Sequence, residues 1–472
     1  MPGYIQVLDS ELSLRTAQAL VEKGSLVIEP TPGKLGIFES NGRSYSKYGT
    51  GLAFCWVPFV LLAKGASAVS GAPYELLAHF LVSSCNIFFG AAACSIFYLL
   101  LRHLAVSNSS ATLCALGLGT GTMVWKYSVY DFSEIIQMCA LLIAFYGFVR
   151  NETRGLALSS VALSLAVFVK LVTVIYLPLF VVYLWVGNRA DAPAFLRKLA
   201  TLAVVGAPFA LLLGLLNYIR FGNALESGYG GEASWFSNEY LLDNLWNLTC
   251  SLEKGLLWYS PLLLFSIAAF PSFLRKHRHE AWLATALVVV NLVFHARYAA
   301  WEGGWCWGPR YQVAVTFLLM LPAAFALDRH PRWKRAFVGL LILSTAVQCV
   351  GVLVKDQEYL TIRQVILGDR RDQLPSALVG EAILLKHKVT QGNNRYSSRE
   401  FGLPEDFPVE TSSYSTFLGL NVWHQHLSRQ LHHRGFLFVP WLLAPFLLWL
   451  LFTILRQAQR ADRKCGSVSE PT

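Results

Sequence analysis

The sequence predicts an all-α bundle that crosses a membrane many times, and three observations carry that reading. Of the 472 residues, 54% are hydrophobic and only 14% are charged, with a mean hydropathy of +0.45, more apolar than a soluble domain of this length needs. The apolar residues fall into runs close to the roughly 20 residues that a helix needs to cross hydrocarbon. Lysine and arginine collect in alternate connections between those runs, which is the positive-inside pattern.

Composition excludes other classes. A formal charge of +10 suggests nucleic acid at first sight, but the basic residues form no single stripe with interleaved aromatics. The nine cysteines include no CxxC pair, and six of them (Cys55, Cys85, Cys94, Cys114, Cys139, Cys349) lie inside apolar runs, where they read as small hydrophobes. No secretory signal precedes Asp9, because residues 1–8 lack both a basic region and a long apolar stretch.

Residues 1–75 read as an outward-facing loop with amphipathic juxtamembrane helices. Leu12, Leu14, Ala17, Ala19, Leu20 and Val21 give a short interfacial helix. The stretch from Gly51 to Ser70 is apolar but interrupted by Pro58 and Lys64, and it is expected to be juxtamembrane or re-entrant. A transmembrane core follows over 76–354, with spans at 76–101, 110–126, 133–150, 156–169, 171–187, 199–219, 256–274, 281–298, 309–327 and 336–354. The two runs flanking Lys170 are short and read as a broken pair, tolerable only where protein or a water-filled cavity covers the exposed backbone. Residues 355–434 form an outer soluble segment, and 435–472 hold a last span at 436–455 and a basic tail. With Arg102, Arg150, Arg189, Arg275, Arg329 and Arg456 assigned to the cytoplasmic side, the remaining connections face outward.

The unusual residues collect in that outward set. Asp9 and Glu11 stand at the margin of the apolar chain, where an ionisable group is kept near water or inside a bundle; they suit either chemistry or the first turn of a helix. Asp131 and Glu134, in Tyr130-Asp131-Phe132-Ser133-Glu134, have the spacing of a capping box and equally suit a site. Lys47 and Tyr48, in Arg43-Ser44-Tyr45-Ser46-Lys47-Tyr48-Gly49, fit an anionic lipid head, or snorkelling with interfacial tyrosines. Arg220, Glu226 and Tyr229 lie in a glycine-rich turn after a span. Trp305, Trp307, Arg310 and Tyr311 lie in Trp301-Glu302-Gly303-Gly304-Trp305-Cys306-Trp307-Gly308-Pro309-Arg310-Tyr311. An aromatic belt accounts for the tryptophans but not for the glycines or for an arginine entering hydrocarbon. His424, His426, His432 and His433 match no common metal-ligand spacing.

The succession of these blocks resembles the integral membrane glycosyltransferases of the GT-C fold, in particular the bacterial RgtA/B/C/D-like and protein O-mannosyltransferase-like groups. Asp9-Ser10-Glu11 resembles the fold's acidic motif, and residues 42–51 resemble its basic, aromatic and glycine motif. Residues 217–229, 254–261 and 303–311 look like recurring blocks of the bacterial group. The likeness covers about 9–327. It implies an enzyme of the cell membrane, most simply the bacterial inner membrane, with its site facing the periplasm or outside. The donor would be a polyprenyl-phosphate-linked hexose or pentose, and the acceptor a glycan, lipid or protein. The implied roles are Asp9 as base with Glu11 assisting, Lys47 and Arg310 on the lipid phosphate, and Arg220 and Arg297 as weaker cations. No metal ligand set is apparent, although a divalent cation is compatible with two carboxylates. The fold opens with a span immediately before its acidic loop; here the chain begins at that loop, so the span is expected upstream, or the loop reaches the outer side without it. Two alternatives remain: a transporter or flippase of a lipid-linked or anionic substrate, for which Lys170 speaks, and a surface polysaccharide ligase or polymerase. The absence of an internal repeat and the gathering of charged blocks at one face favour the enzyme.

Overall fold

A computed structural model describes residues 4–30, 33, 35–366, 368, 373–410, 430 and 453. The last predicted span, apart from Thr453, and the four histidines at 424–433 lie outside these.

Helix α1 (Leu8–Lys23) carries Asp9 and Glu11 in its first turn and Lys23 in its last, the charge order the helix dipole favours. It stops at Gly24, whose backbone is left-handed. A hairpin of β1 (Ile37–Ser40) and β2 (Arg43–Ser46) pairs Ile37 with Ser46 and Ser40 with Arg43. Its turn residues Asn41 and Gly42 both have positive φ, as a two-residue hairpin requires.

Helix α2 (Gly51–Ser70) is continuous through Pro58, and it is long and apolar enough to cross a membrane. It folds back on α3 (Tyr74–His103), bringing Phe59 to 5.9 Å from Phe88. The start of α3 is tied to α1, with Gln18 donating to Glu75 at 3.1 Å and His79 3.2 Å from Glu11. Ser70 therefore ends beside α1. The far end of α3 lies elsewhere, where the Ser107 amide just beyond it donates to Asp328 at 3.0 Å.

The bundle continues through α4 (Asn108–Thr120), α5 (Val124–Ser128), α6 (Glu134–Arg150) and α7 (Thr153–Val169). A Cβ on Gly147 would sit 2.4 Å from the Gly155 carbonyl, so only glycine permits the α6–α7 contact. After Lys170, which is extended at φ −147°, a 3-10 helix (Leu171–Tyr176) leads into α8 (Leu177–Asn188). Gln137 donates to Thr173 Oγ1 at 2.9 Å, and Thr173 donates to the Ala166 carbonyl at 3.1 Å, satisfying polar groups at the break.

Next come α9 (Ala192–Phe221), α10 (Leu241–Thr249), α11 (Leu256–Tyr259), α12 (Leu262–Lys276) and α13 (Arg278–Ala296). The 3-10 helix Arg310–Val315 opens α14 (Thr316–Arg329), which is buried along nearly its whole length. Phe145 and Phe317 pack there at 6.0 Å, and Phe273 stacks on Phe325 at 5.0 Å. Helix α15 (Lys334–Leu353) follows. Among the described residues seven helices can cross a membrane by length and composition; six overlap predicted spans, and the seventh, Thr50–Ser70, is the stretch expected to be juxtamembrane or re-entrant.

The segment after α15 comprises α16 (Asp356–Thr361), α17 (Ala377–Gln391) and the pair β3 (Arg395–Ser397) and β4 (Pro408–Glu410). It has its own apolar cluster around Tyr359, Leu384, Tyr396 and Phe401. Inside it Lys388 pairs with Glu358 at 2.9 Å, and the Tyr396 hydroxyl donates to the same carboxylate at 2.6 Å.

Candidate active site

The start of α1 is fixed by Asp131. The Gln6 amide donates to its carboxylate at 3.1 Å, and the Ser10 hydroxyl donates to its carbonyl at 2.8 Å. Burial pushes the Asp131 carboxyl up to about 6, against the backbone amide of Gln6 that favours its charge. This anchor sets Asp9 half-buried on the wall of a cavity of about 860 Å³. Burial, reinforced by the nearby Asp9 carboxylate, holds the Tyr48 phenol well above its ordinary range, so it stays protonated.

Opposite charges converge on Glu134, whose side chain is 1% exposed. Lys170 pairs with its Oε1, and Arg310 Nε stands 3.2 Å from the same oxygen. Arg310 also lies over the Phe132 ring at 4.3 Å, and Lys170 over the Tyr311 ring at 4.9 Å. The helix break is what delivers Lys170: extended backbone between α7 and the 3-10 helix turns the residue to the cavity wall.

Lys47 reaches the cavity from the loop after β2, 5.8 Å from the Tyr229 ring centre. Arg220 holds that loop, donating to the Tyr48 carbonyl at 2.8 Å, to the Ser46 carbonyl at 3.2 Å and to Asn217 Oδ1 at 2.8 Å. Gly228, at φ +81°, lies so close that an added Cβ would be 2.4 Å from the Lys47 carbonyl oxygen.

On the wall, Lys47, Lys170, Arg220 and Arg310 outnumber Asp9 and Glu134. In a site shielded from water that excess favours an anion. Leu171, Val174, Ile175, Leu213 and Phe294 line another part of the same cavity, a surface suited to an alkyl chain.

The structure thus gathers Asp9, Lys47, Tyr48, Glu134, Arg220, Tyr229, Trp305, Arg310 and Tyr311. Other predicted residues stand elsewhere. Glu11 turns away to His79 and Arg15, at 3.2 Å and 3.1 Å, and these bonds hold its carboxyl below the usual range. Asp131 is a buried anchor rather than part of the cavity wall. Glu226 accepts from the amides of Ser227 and Gly228 at 2.9 Å and 2.8 Å, closing its own turn. Arg297 is exposed outside the cavity, and Trp307 is fully buried, its ring edge-on to Tyr259 at 4.7 Å. No capping box forms at α6, because Ser133 is the N-cap and no side chain caps it. The structure adds His295, stacked on Tyr311 at 4.4 Å, the stacked pair Trp235 and Tyr298, and Gln357. His295, an ionisable residue inside an apolar run, was a sequence signal for one of these; Trp235 and Gln357 left none. Among the described residues no group of three or more His, Cys, Asp or Glu side chains is placed to hold a metal ion.

Two ends of the bundle are chemically distinct. Asn86 donates to the carbonyls of Tyr130 and Phe132 beside the cavity, and Arg102 follows about 24 Å further along α3 at 1.5 Å per residue. Arg150 likewise closes the helix that Glu134 begins.

No family model matches the sequence, and no curated protein matches it. Solved structures do. A crystal structure of ArnT from Cupriavidus metallidurans bound to undecaprenyl phosphate aligns with 81% of this chain and 68% of its own, at 14% identity and a TM-score of 0.50. The Archaeoglobus fulgidus oligosaccharyltransferase in its apo form aligns over 77% of this chain and 55% of its own, at 10% identity and a TM-score of 0.47. By its helical architecture and the first of these likenesses, the chain is a multi-pass membrane protein of the GT-C fold.

Proposed function

We propose that this protein transfers a sugar from a polyprenyl-phosphate carrier to a hydroxyl acceptor on the non-cytoplasmic side of the membrane. The observation that carries the reading is the single cavity in which Asp9 faces a surplus of cations beside an apolar wall. The ArnT structure that shares the fold holds undecaprenyl phosphate, a ligand with the two halves this cavity would accommodate. The basic ends of α3 and α6 lie away from the cavity, and the positive-inside rule supports a site opposite the cytoplasm.

The chemistry is a single displacement with inversion. Asp9 takes the proton of the acceptor hydroxyl as its oxygen bonds to the anomeric carbon, an effect worth about 100 to 10,000-fold. The bond from that carbon to the phosphate oxygen breaks, and the lipid phosphate leaves with the electron pair. Lys170, Arg310 and Lys47 stabilise the charge it gains. The Tyr48 phenol stands near the Asp9 carboxylate. Glu134 balances Lys170 and Arg310, keeping two cations together in a site where one alone would be costly.

The test is incubation of the purified protein, in lipid nanodiscs, with undecaprenyl phosphate carrying a radiolabelled sugar. Release of undecaprenyl phosphate with the label on an acceptor is the expected result. One observation favours a second reading: a broken helix at a charged cavity is also how transporters build binding sites. Movement of the labelled carrier across a proteoliposome bilayer with its sugar bond intact would establish that reading instead.

A further inference from the structure

The cavity wall carries two exposed tryptophans that the chemistry above does not use. Trp235 is 46% and Trp305 40% exposed, and both line the cavity. Trp246 and Trp258, at 63% and 48%, stand outside it, where an interfacial belt of aromatic rings accounts for them. A belt does not account for rings that line a charged hollow.

Trp235 is held in place by backbone. Phe236 and Tyr298 form an isolated antiparallel bridge, in which the Ser237 amide donates to the Arg297 carbonyl at 2.9 Å and the Ala299 amide to the Trp235 carbonyl at 2.8 Å. The bridge sets the Trp235 ring on that of Tyr298, with centres 6.1 Å and planes 26° apart. Tyr298 stands edge-on to Tyr311 at 6.4 Å, and the Tyr311 ring lies 4.9 Å from Lys170 and 5.0 Å from Arg310. A line of rings therefore leads from Trp235 to the cations of the site.

Position along the chain separates these rings from the aliphatic wall. Leu171, Val174, Leu213 and Phe294 belong to helices able to cross a membrane, whereas Trp235, Tyr298 and Trp305 lie in connections beyond the ends of such helices. An alkyl chain stays at the depth of the first group, where it is kept from water. Beyond the helix ends the fitting ligand has an apolar face and a hydroxylated rim. A pyranose ring has both, because its C–H bonds gather on a face and carry the partial positive charge that the negative face of an indole attracts.

We propose that Trp235, backed by Tyr298, and Trp305 form a saccharide subsite in which the indole rings stack on the C–H face of a hexopyranose. The inference rests on the glycosyl-transfer reading and deepens it, since it names the residues that read the sugar. Donor and acceptor can both present such a ring, and the experiment separates them.

Wild type, Trp235→Ala, Trp235→Phe and Trp305→Ala are compared in nanodiscs for binding of two matched pairs of ligands. One pair is undecaprenyl phosphate with and without a hexose; the other is octyl glucoside and tetraethylene glycol monooctyl ether, which has the same tail and no ring. Wild type should prefer the ring-bearing member of at least one pair. Both alanine variants should lose about tenfold in affinity for that member, the effect of one lost aromatic stack. Binding of the ringless member should be unchanged, which also reports an intact fold, and Trp235→Phe, which keeps an aromatic face, should retain most of the affinity. Loss on the hexose-bearing carrier assigns the donor ring, and loss on octyl glucoside the acceptor ring. The proposal is overturned if wild type has no preference for the ring, if both alanine variants match wild type, or if they weaken both members of a pair equally, as the loss of a merely apolar wall would. Release of undecaprenyl phosphate from the hexose-bearing carrier is read separately: its absence in wild type overturns the glycosyl-transfer reading, whereas normal release with indifferent variants removes this inference alone.

Discussion

Arg310 Nε and Glu134 Oε1 are 3.2 Å apart, joining the turn that opens α14 to the first residue of α6. Lys170 shares that oxygen. One carboxylate therefore serves two cations.

Glu134→Gln should remove the carboxylate that pairs with both cations. Breaking a buried pair from one side costs about 3 to 5 kcal/mol, so the melting temperature in detergent should fall by several degrees. Undecaprenyl phosphate should stabilise the variant more than wild type, because its phosphate replaces the missing charge. An unchanged melting temperature would show that Glu134 does not balance Lys170 and Arg310.

Asp9→Asn keeps the size of the side chain but cannot take a proton. Transfer should fall by about 100 to 10,000-fold, while thermal stabilisation by undecaprenyl phosphate survives. Residual transfer within a few-fold of wild type would move the base elsewhere.

Arg220→Lys preserves charge and loses the planar fork that holds the Ser46 and Tyr48 carbonyls. Misplacement of Lys47 and Tyr48 should lower kcat by about 10 to 100-fold. Gly228→Ala, which pushes on the same loop from the opposite side, should reproduce the defect. Normal turnover in both would mean that the loop's position is set by other contacts.

The pH dependence of stability has a definite sign at Asp131. Its carboxyl titrates at about 6 in the folded protein, against 3.8 for the ordinary group. Between those values the folded chain retains a proton that the unfolded chain has released. Stability from this group is thus present below about 4 and lost as pH rises towards 6 and above. Asp131→Asn, which keeps an acceptor for the Gln6 amide, should flatten the unfolding profile across that window. A wild-type profile that rises through it, with the variant unchanged, would contradict the assignment.

Chain order and hydrophobicity alone determined the membrane class, the sequence positions of the helices and the break at Lys170. The physical reason is that burying a helix in hydrocarbon demands an uninterrupted apolar run, a property local to the sequence. The same locality marked Asp9, Lys47 and Arg310 as out of place. What it did not settle was which way each side chain turns. Asp9 and Glu11 are two residues apart on α1, about 200° around a helix that turns 3.6 residues per cycle, so only one could face the cavity; packing against α3 gave Glu11 to His79. Asp131 and Glu134 had capping-box spacing, but the amide of Gln6 and the hydroxyl of Ser10 claimed the first while Lys170 and Arg310 claimed the second. Trp305 lines the cavity while Trp307 is buried against Tyr259. Those outcomes belong to tertiary structure, because each depends on a partner far away in sequence whose distance no local pattern encodes.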